Sequence, residues 1–420
     1  MNPQVAVLDI GSGKIRVLVG SRGFNDTICL SSETERSCAS YYNGHWILNP
    51  SELYKEIHKA IVEAERNAGV KIRQLVVGVP ADFTITKSLS SALSFSKKRK
   101  VTDDDLTDLH KQGSVFKDYP DYTVINSQPI YYKLDDDRPL IQPKGLYSQK
   151  VSGLISYILV KNRFVEVMDD IMARLSIEPS YLSSALAEVW FLFDERARDR
   201  FVVMIDTGLS TTNIVIAQGD GILEQFNIPF GGGDITAYIL NFFRELRSAV
   251  KSRNEGISEA DLPVPEIDFS QAEALKGKVN LKLNHREDDI YTLTASDLPS
   301  GTLDIKAQYV NEPVRQAIGE LGDRIKRALA ERNHDISNYP KHISYHITGG
   351  GVTSIEGAKN LLSTRLDRPI EIAHPKLAQY NKPCLSSSLG LLDLALSLQP
   401  AQEVRKKGLF GRFFKRIGEE

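Results

Sequence analysis

The sequence predicts an α/β protein of two domains, built by duplication of one strand–turn–strand unit. Three observations carry that prediction. Asp9-Ile10-Gly11-Ser12-Gly13-Lys14 follows one apolar run and precedes another. Asp206-Thr207-Gly208-Leu209-Ser210-Thr211-Thr212 repeats the arrangement about 200 residues later. His346-Ile347-Thr348-Gly349-Gly350-Gly351-Val352 then places three glycines directly after a further strand-like run. At 420 residues the chain is also too long for a single ordinary core.

Taken in order, Gln4 to Gly20 reads as a hairpin, because β-branched residues dominate after its turn. Ser51 to Ala68 has apolar residues at helical spacing, with Ser51 as the expected N-cap. Leu75 to Pro80 is a short buried strand. From Lys97 onward the chain is charged and rich in turn residues, so 84–158 is expected to be an inserted subdomain of short strands within a first domain covering 1–83 and 159–198. Asn162 to Arg174 and the apolar Ser183 to Phe193 are helices, and the charged run Glu195 to Arg200 is the expected surface crossing into a second domain, 199–398. Within that domain a smaller upper part spans about 245–340, including an exposed excursion at Ser252 to Ser270 and an amphipathic helix at Val310 to Glu331. A final apolar helix, Leu385 to Leu398, precedes a polar linker at 399–406 and a terminal segment at 407–420.

Bulk composition excludes several classes. With 41% hydrophobic and 25% charged residues the chain reads as globular, and its net charge of -2 gives no pull toward nucleic acid. Cys29, Cys38 and Cys384 lack metal-ligand spacing and fit a reducing compartment. No charged segment followed by a long apolar run marks a signal peptide, and no stretch approaches the roughly 20 apolar residues of a spanning helix.

The turns carry the chemistry. Glycines let backbone approach an anion, and hydroxyl and amide groups donate to phosphate oxygens. Asp9 and Asp206, each at a strand end, can hold Mg²⁺ directly or through water. Either turn alone reads more readily as a tight β-turn. Neither is a Walker loop, since Gly11 to Lys14 lacks that spacing and enters a strand. One turn per domain would clamp a triphosphate.

In order and spacing, the three turns together resemble the superfamily of actin, the sugar kinases and the heat-shock chaperone ATPases, whose fold is a ribonuclease H-like duplication. The resemblance implies ATP with Mg²⁺ at Asp9, Gly11, Ser12, Gly13, Lys14, Asp206, Thr207, Gly208, Ser210, Thr211 and Thr212, with Gly349, Gly350 and Gly351 against the purine or ribose. Ala272-Glu273-Ala274-Leu275-Lys276 is similar to a helix whose Glu273 and Lys276 would reach the adenosine; a surface helix with an i, i+3 ion pair reads equally well. Phe230-Gly231-Gly232-Gly233-Asp234-Ile235-Thr236 resembles a glycine-rich turn near the phosphates. Glu188 falls where the superfamily places a residue that orients the attacking water; a helix residue facing solvent is the alternative.

The terminal segment places Leu409, Phe410, Phe413, Phe414 and Ile417 on one face of a helix, with Arg412, Lys415 and Arg416 on or near the other. That is the pattern of an interfacial helix on anionic lipid, too short to span a bilayer; a partner-docking helix is the alternative. Actin-type turns, a replaced subdomain and this terminus together resemble the FtsA family of bacterial cell-division proteins. The resemblance implies a peripheral protein of the cytoplasmic membrane face at the septum. It implies head-to-tail self-assembly, contact with the C-terminal tail of the tubulin-like FtsZ, and docking of other division proteins on the inserted subdomain. Arg315, Arg324 and Lys326 are the residues it assigns to the FtsZ tail. In this sequence Leu209 and Ser210 stand where the family often has glycine, which argues against fast hydrolysis and for at most a weak ATPase. A pilus-assembly scaffold of the same fold and a soluble phosphotransferase are the competing readings, and both lack a reason for the basic terminus.

Overall fold

The computed structural model describes residues 3–38, 41–43, 46–253, 262–294, 301–332 and 345–399. The expected membrane helix, residues 400–406 of its linker and residues 254–261 of the excursion lie outside the described residues. The chain divides into two compact units, one of 1–204, 215–226 and 374 onward, the other of 205–214 and 227–373.

Unit one opens with β1 (Val5–Ile10), β2 (Lys14–Arg22) and β3 (Ile28–Ser37), then α1 (Pro50–Ala68) and β4 (Gln74–Val79). The inserted subdomain follows as β5 (Thr84–Lys100), α2 (Asp103–Gln112), β6 (Tyr122–Lys133), β7 (Pro139–Leu140) and β8 (Tyr147–Lys161). Next come α3 (Asn162–Leu175), β9 (Glu178–Ser183), α4 (Ser184–Leu192) and α5 (Glu195–Asp199). The principal sheet has the order β3-β2-β1-β4-β9, antiparallel at β1–β2 and parallel at β1–β4. Strand β1 is buried on both faces, as its unbroken apolar run requires. Its Ala6, Leu8 and Ile10 pack toward α1 and α3, while Val5 and Val7 share a cluster with Leu391 and Leu392.

The second half begins with β10 (Val202–Thr207), β11 (Thr212–Gln218) and β12 (Gly221–Ile228), then α6 (Gly232–Arg253) and α7 (Phe269–Lys276). After β13 (Ile290–Leu293) and β14 (Leu303–Lys306) come α8 (Ala307–Glu331), β15 (Tyr345–Thr348), α9 (Ala358–Leu366), β16 (Ile370–Ile372) and α10 (Ser386–Ser397). Its sheet runs β12-β11-β10-β15-β16. Each half thus lays its third, second and first strands side by side and adds two later strands beyond the first. That repeated order is the expected duplication.

Three expectations need correction. Asn49, not Ser51, caps α1: its side chain accepts from the Glu52 amide at 3.2 Å, and Pro50 occupies the first turn, where its missing N–H costs nothing. The inserted subdomain is built on long strands of 17, 12 and 15 residues rather than short ones. In its sheet, β5-β8-β6-β7, the exposed Ser90, Ser94 and Ser96 of β5 are interleaved with the partly buried Leu93 and Phe95, and its many polar residues mask the strand pattern. The second domain does not run unbroken from 199 to 398. Segment 215–226 and helix α10 belong to unit one. There α10 packs on α4 and β1, and Arg22 of β2 donates to the Asp393 carboxylate at 2.7 Å and to Ser397 Oγ at 2.7 Å. Gly78 in β4 makes that approach possible, since a Cβ there would lie 2.2 Å from Leu391 Cδ1.

Candidate functional site: glycine turns in each unit

In unit two, four backbone segments lock together. The turn after β10 closes on itself through the Gly208 amide and Thr211 carbonyl at 2.9 Å. The turn entering α6 then donates to it, Gly232 to the Gly208 carbonyl at 2.9 Å and Gly233 to the Leu209 carbonyl at 2.7 Å. The triple-glycine turn joins when the Gly351 amide donates to the Thr207 carbonyl at 2.7 Å. Only glycines fit these crossings. A Cβ on Gly351 would lie 2.4 Å from the Gly208 oxygen, and one on Gly231 would lie 2.5 Å from the Leu209 oxygen. Leu209 therefore does structural work through its carbonyl, and its φ is not among the positive values that demand glycine.

The fourth segment is α7. Lys276, only 4% exposed, donates to the Gly232 carbonyl at 2.8 Å, to Thr236 Oγ1 at 3.0 Å and to the Glu273 carboxylate at 2.7 Å. Burial lowers its pKa, and the Glu273 charge opposes that shift. The expected i, i+3 ion pair is present, but its lysine is buried on a backbone carbonyl and does not face solvent. Thr236 also hydrogen-bonds Glu273 and returns its hydroxyl to the Gly232 carbonyl at 3.1 Å. Sequence reasoning missed Thr236 as a site residue. Its signal was a hydroxyl four residues into the helix, where it can bond back to the first turn.

Unit one holds the first turn more simply. The Gly11 amide donates to the Lys14 carbonyl at 2.9 Å, Cys38 Sγ donates to the Gly11 carbonyl at 2.9 Å, and the Cys38 amide donates to the Gly13 carbonyl at 3.1 Å. Burial first, and the neighbouring Asp9 charge second, push the Cys38 thiol up to about 12, so it is a neutral strut. Asp9 is buried, and its carboxylate accepts from Ser387 Oγ of α10 at 2.9 Å. Desolvation raises its pKa, against the pull of Arg16 and Ser387. Lys14 is half-exposed and paired with Glu35 at 2.5 Å. Glu188 is 2% exposed, on a turn of α4 where a Cβ at Gly390 would lie 3.1 Å from its Cα. It does not face solvent.

Of the assigned residues, Asp206, Thr207, Gly208, Thr211, Gly231, Gly232, Gly233, Glu273, Lys276, Gly349 and Gly351 converge in unit two, whereas Asp9, Gly11, Gly13, Lys14 and Glu188 lie in unit one. The residues assigned to the FtsZ tail divide. Arg315 donates to the Leu281 carbonyl at 3.2 Å, and Arg324 pairs with Glu320 at 2.7 Å and sits 5.2 Å from the Phe230 ring centroid. Lys326 is exposed. The membrane residues, from Leu409 to Ile417, lie outside the described residues.

No family model matches the chain. It is 21% identical over 402 residues to the cell division protein FtsA of Pseudomonas aeruginosa, spanning 93% of this chain and 89% of that one. It is 20% identical to the FtsA of Neisseria meningitidis, over 94% of this chain and 91% of that one. Among solved structures, the PilM-PilN type IV pilus biogenesis complex superposes with a TM-score of 0.60 at 16% identity, covering 95% of this chain and 100% of that one. MreB5 of Spiroplasma citri bound to ADP superposes with a TM-score of 0.53 at 10% identity, covering 92% and 94%. Matched over nearly its whole length by these proteins, the chain is an actin-fold protein related to the bacterial cell-division protein FtsA.

Proposed function

We propose that this chain is an ATP-binding adaptor of bacterial cell division, which assembles head to tail and links FtsZ filaments to the cytoplasmic membrane face. The observation that carries the nucleotide reading is the interlocked turn cluster of unit two. Four of its glycines, Gly231, Gly232, Gly349 and Gly351, leave no room for a Cβ, and the buried hydroxyl of Thr207 has no hydrogen-bond partner among the described residues. Both features suit a phosphate chain, which needs close backbone and spare donors. MreB5 structures bound to ADP and to AMPPNP share the fold and support the reading.

In this proposal the amides and hydroxyls of 207–212 take phosphate oxygens, Glu273 and Lys276 take the adenosine end, and the Asp9 turn is the phosphate-binding candidate of unit one. Asp206 in unit two and Asp9 in unit one are the carboxylates proposed for Mg²⁺, whose shell phosphate and water would complete. When bound, the ion offsets phosphate charge; Glu188 would hold a water beside it. The cell-division role follows from the FtsA relatives, and the membrane role from the basic amphipathic segment at 409–417. Among the described residues no helix is long and apolar enough to cross a membrane.

The test is co-sedimentation with anionic liposomes of the full chain and of a version ending at Ala401, each with and without ATP-Mg²⁺. Pelleting of the full chain alone, increased by nucleotide, is expected. Equal behaviour of the two would refute the membrane role and favour a pilus-type scaffold, the reading that the PilM-PilN superposition supports.

A further inference from the structure

Unit one carries a groove of 570 Å³ that none of the nucleotide-assigned residues lines. Its floor is a built feature. Gly219 takes φ +60°, and a Cβ there would lie 2.1 Å from the Ile130 carbonyl. Beneath it the buried Arg198 donates to the Gly219 carbonyl at 3.0 Å, to the Phe193 carbonyl at 2.6 Å and to the Asp220 carboxylate at 2.9 Å. The walls combine Tyr131, Leu140 and Ile141 with Glu195, Asp199 and Asp220. Arg198 answers Asp220, but Glu195 and Asp199 are exposed and make no ion pair among the described residues. One wall, β7, is an edge strand with its outer side unpaired in the sheet. Apolar side chains on the walls with uncompensated acid on the rim fit an apolar, basic segment.

We infer that the occupant is the terminal segment of this same chain, residues 405–417. It supplies Arg405, Lys406, Lys407, Arg412, Lys415 and Arg416 to the acidic rim, and Leu409, Phe410, Phe413, Phe414 and Ile417 to the apolar walls. The exit point favours it. Leu398, next to the last described residue, packs in the apolar cluster that includes Trp190, and Trp190 Nε1 donates to the Asp220 carbonyl at 3.1 Å. The chain therefore leaves the described residues from α10, a helix of the same unit as the groove. An extended run of ten residues reaches roughly 30 Å, the radius within which the segment can seat. Seated there, the segment is withheld from every other surface, and release exposes its apolar face. The seat stands independently of the membrane reading; only the destination after release rests on it.

The experiment replaces Phe413 in the full chain with the photo-crosslinking amino acid p-benzoylphenylalanine and maps the products by mass spectrometry. Cross-links within one molecule to peptides spanning 130–142 and 195–220 are expected. Glu195→Lys with Asp199→Lys should reduce them at least several-fold, and adding Lys415→Glu with Arg416→Glu should restore them. Cross-links that miss the groove, ignore the charge reversal, or join only two differently labelled copies overturn the proposal. A second arm adds vesicles of phosphatidylglycerol and phosphatidylcholine. A chain that cross-links at the groove yet never pellets with vesicles sinks the membrane reading and leaves the seat standing. Pelleting without groove cross-links does the reverse.

Discussion

Gly349 lies so close to Asp206 that a Cβ on it would sit 2.2 Å from the carboxylate oxygen Oδ1, and its φ of +81° suits no L side chain. The same turn is tied down by Thr353, whose hydroxyl bonds the Gly349 carbonyl. The carboxylate assigned to Mg²⁺ is thus positioned against bare backbone. Gly349→Ala should push Asp206 aside and cost about 1–3 kcal/mol of stability. Titration with a fluorescent ATP analogue should show a loss of affinity well beyond that of a Gly145→Ala control, where φ is also positive but nothing lies within 4 Å.

Asp9 offers a separation of stability from binding. Its folded pKa is raised by burial, so folding favours the protonated form. The stability tied to this group is full below the unfolded value of 3.8 and is lost as pH rises through the folded value, leaving a burdened charge at neutral pH. Asp9→Asn should therefore melt at the same temperature or higher at pH 7 while Mg²⁺-dependent ATP affinity falls. A variant that melts lower and binds normally would remove Asp9 from the metal site.

Lys276→Met tests the joint between α7 and the glycine turn. The substitution leaves the Gly232 carbonyl and Glu273 without their cation, at a cost of about 2 kcal/mol. Urea unfolding should show that loss, and nucleotide should recover less stability than it does in the parent chain.

The inserted subdomain should soften with acid in two steps. His110 is buried between Ser127 Oγ at 2.6 Å and Tyr132 OH at 2.7 Å, and burial lowers its pKa to about 4. The unfolded chain takes that proton first, so stability falls as pH drops from 6.5 toward 4. Asp105 behaves as a stabilising carboxylate. The Arg99 guanidinium, at 2.6 and 2.7 Å, and the Thr102 cap hold it near 2 against burial, so its contribution persists above 3.8 and disappears toward pH 2. Hydrogen exchange of the α2 amides across this range checks both windows, and His110→Gln should flatten only the first.

These residues also show what was legible in the sequence. The turns at Asp9, Asp206 and Gly349 were readable because a glycine turn after an apolar strand is a local signal, and the duplicated strand order followed from its repetition. Glu188 and Lys276 were undecided because one acid or lysine on a helix looks alike whether it faces water or a carbonyl; only the packing of α10 and α6 decides. Strand β5 was obscured by exposed polar residues such as Ser90, Ser94 and Ser96, interleaved with the partly buried Leu93 and Phe95. Helix α10, nearly uniformly apolar, announced its burial but not which sheet it would cover. Ser387, which donates to Asp9, was invisible for the same reason: 378 residues separate the partners.

The return of α10 to unit one sets an order on biosynthesis. The face of β1 and β2 that Leu391 and Leu392 cover waits for a segment made about 190 residues after Asp199. At ribosomal speeds that is roughly 10–40 s, during which Val5, Val7 and Leu18 lack their native cover. The nascent chain must carry an open apolar surface through the translation of nearly half its length, a natural point of engagement for a holdase chaperone. The basic, aromatic segment emerges only after that surface can close.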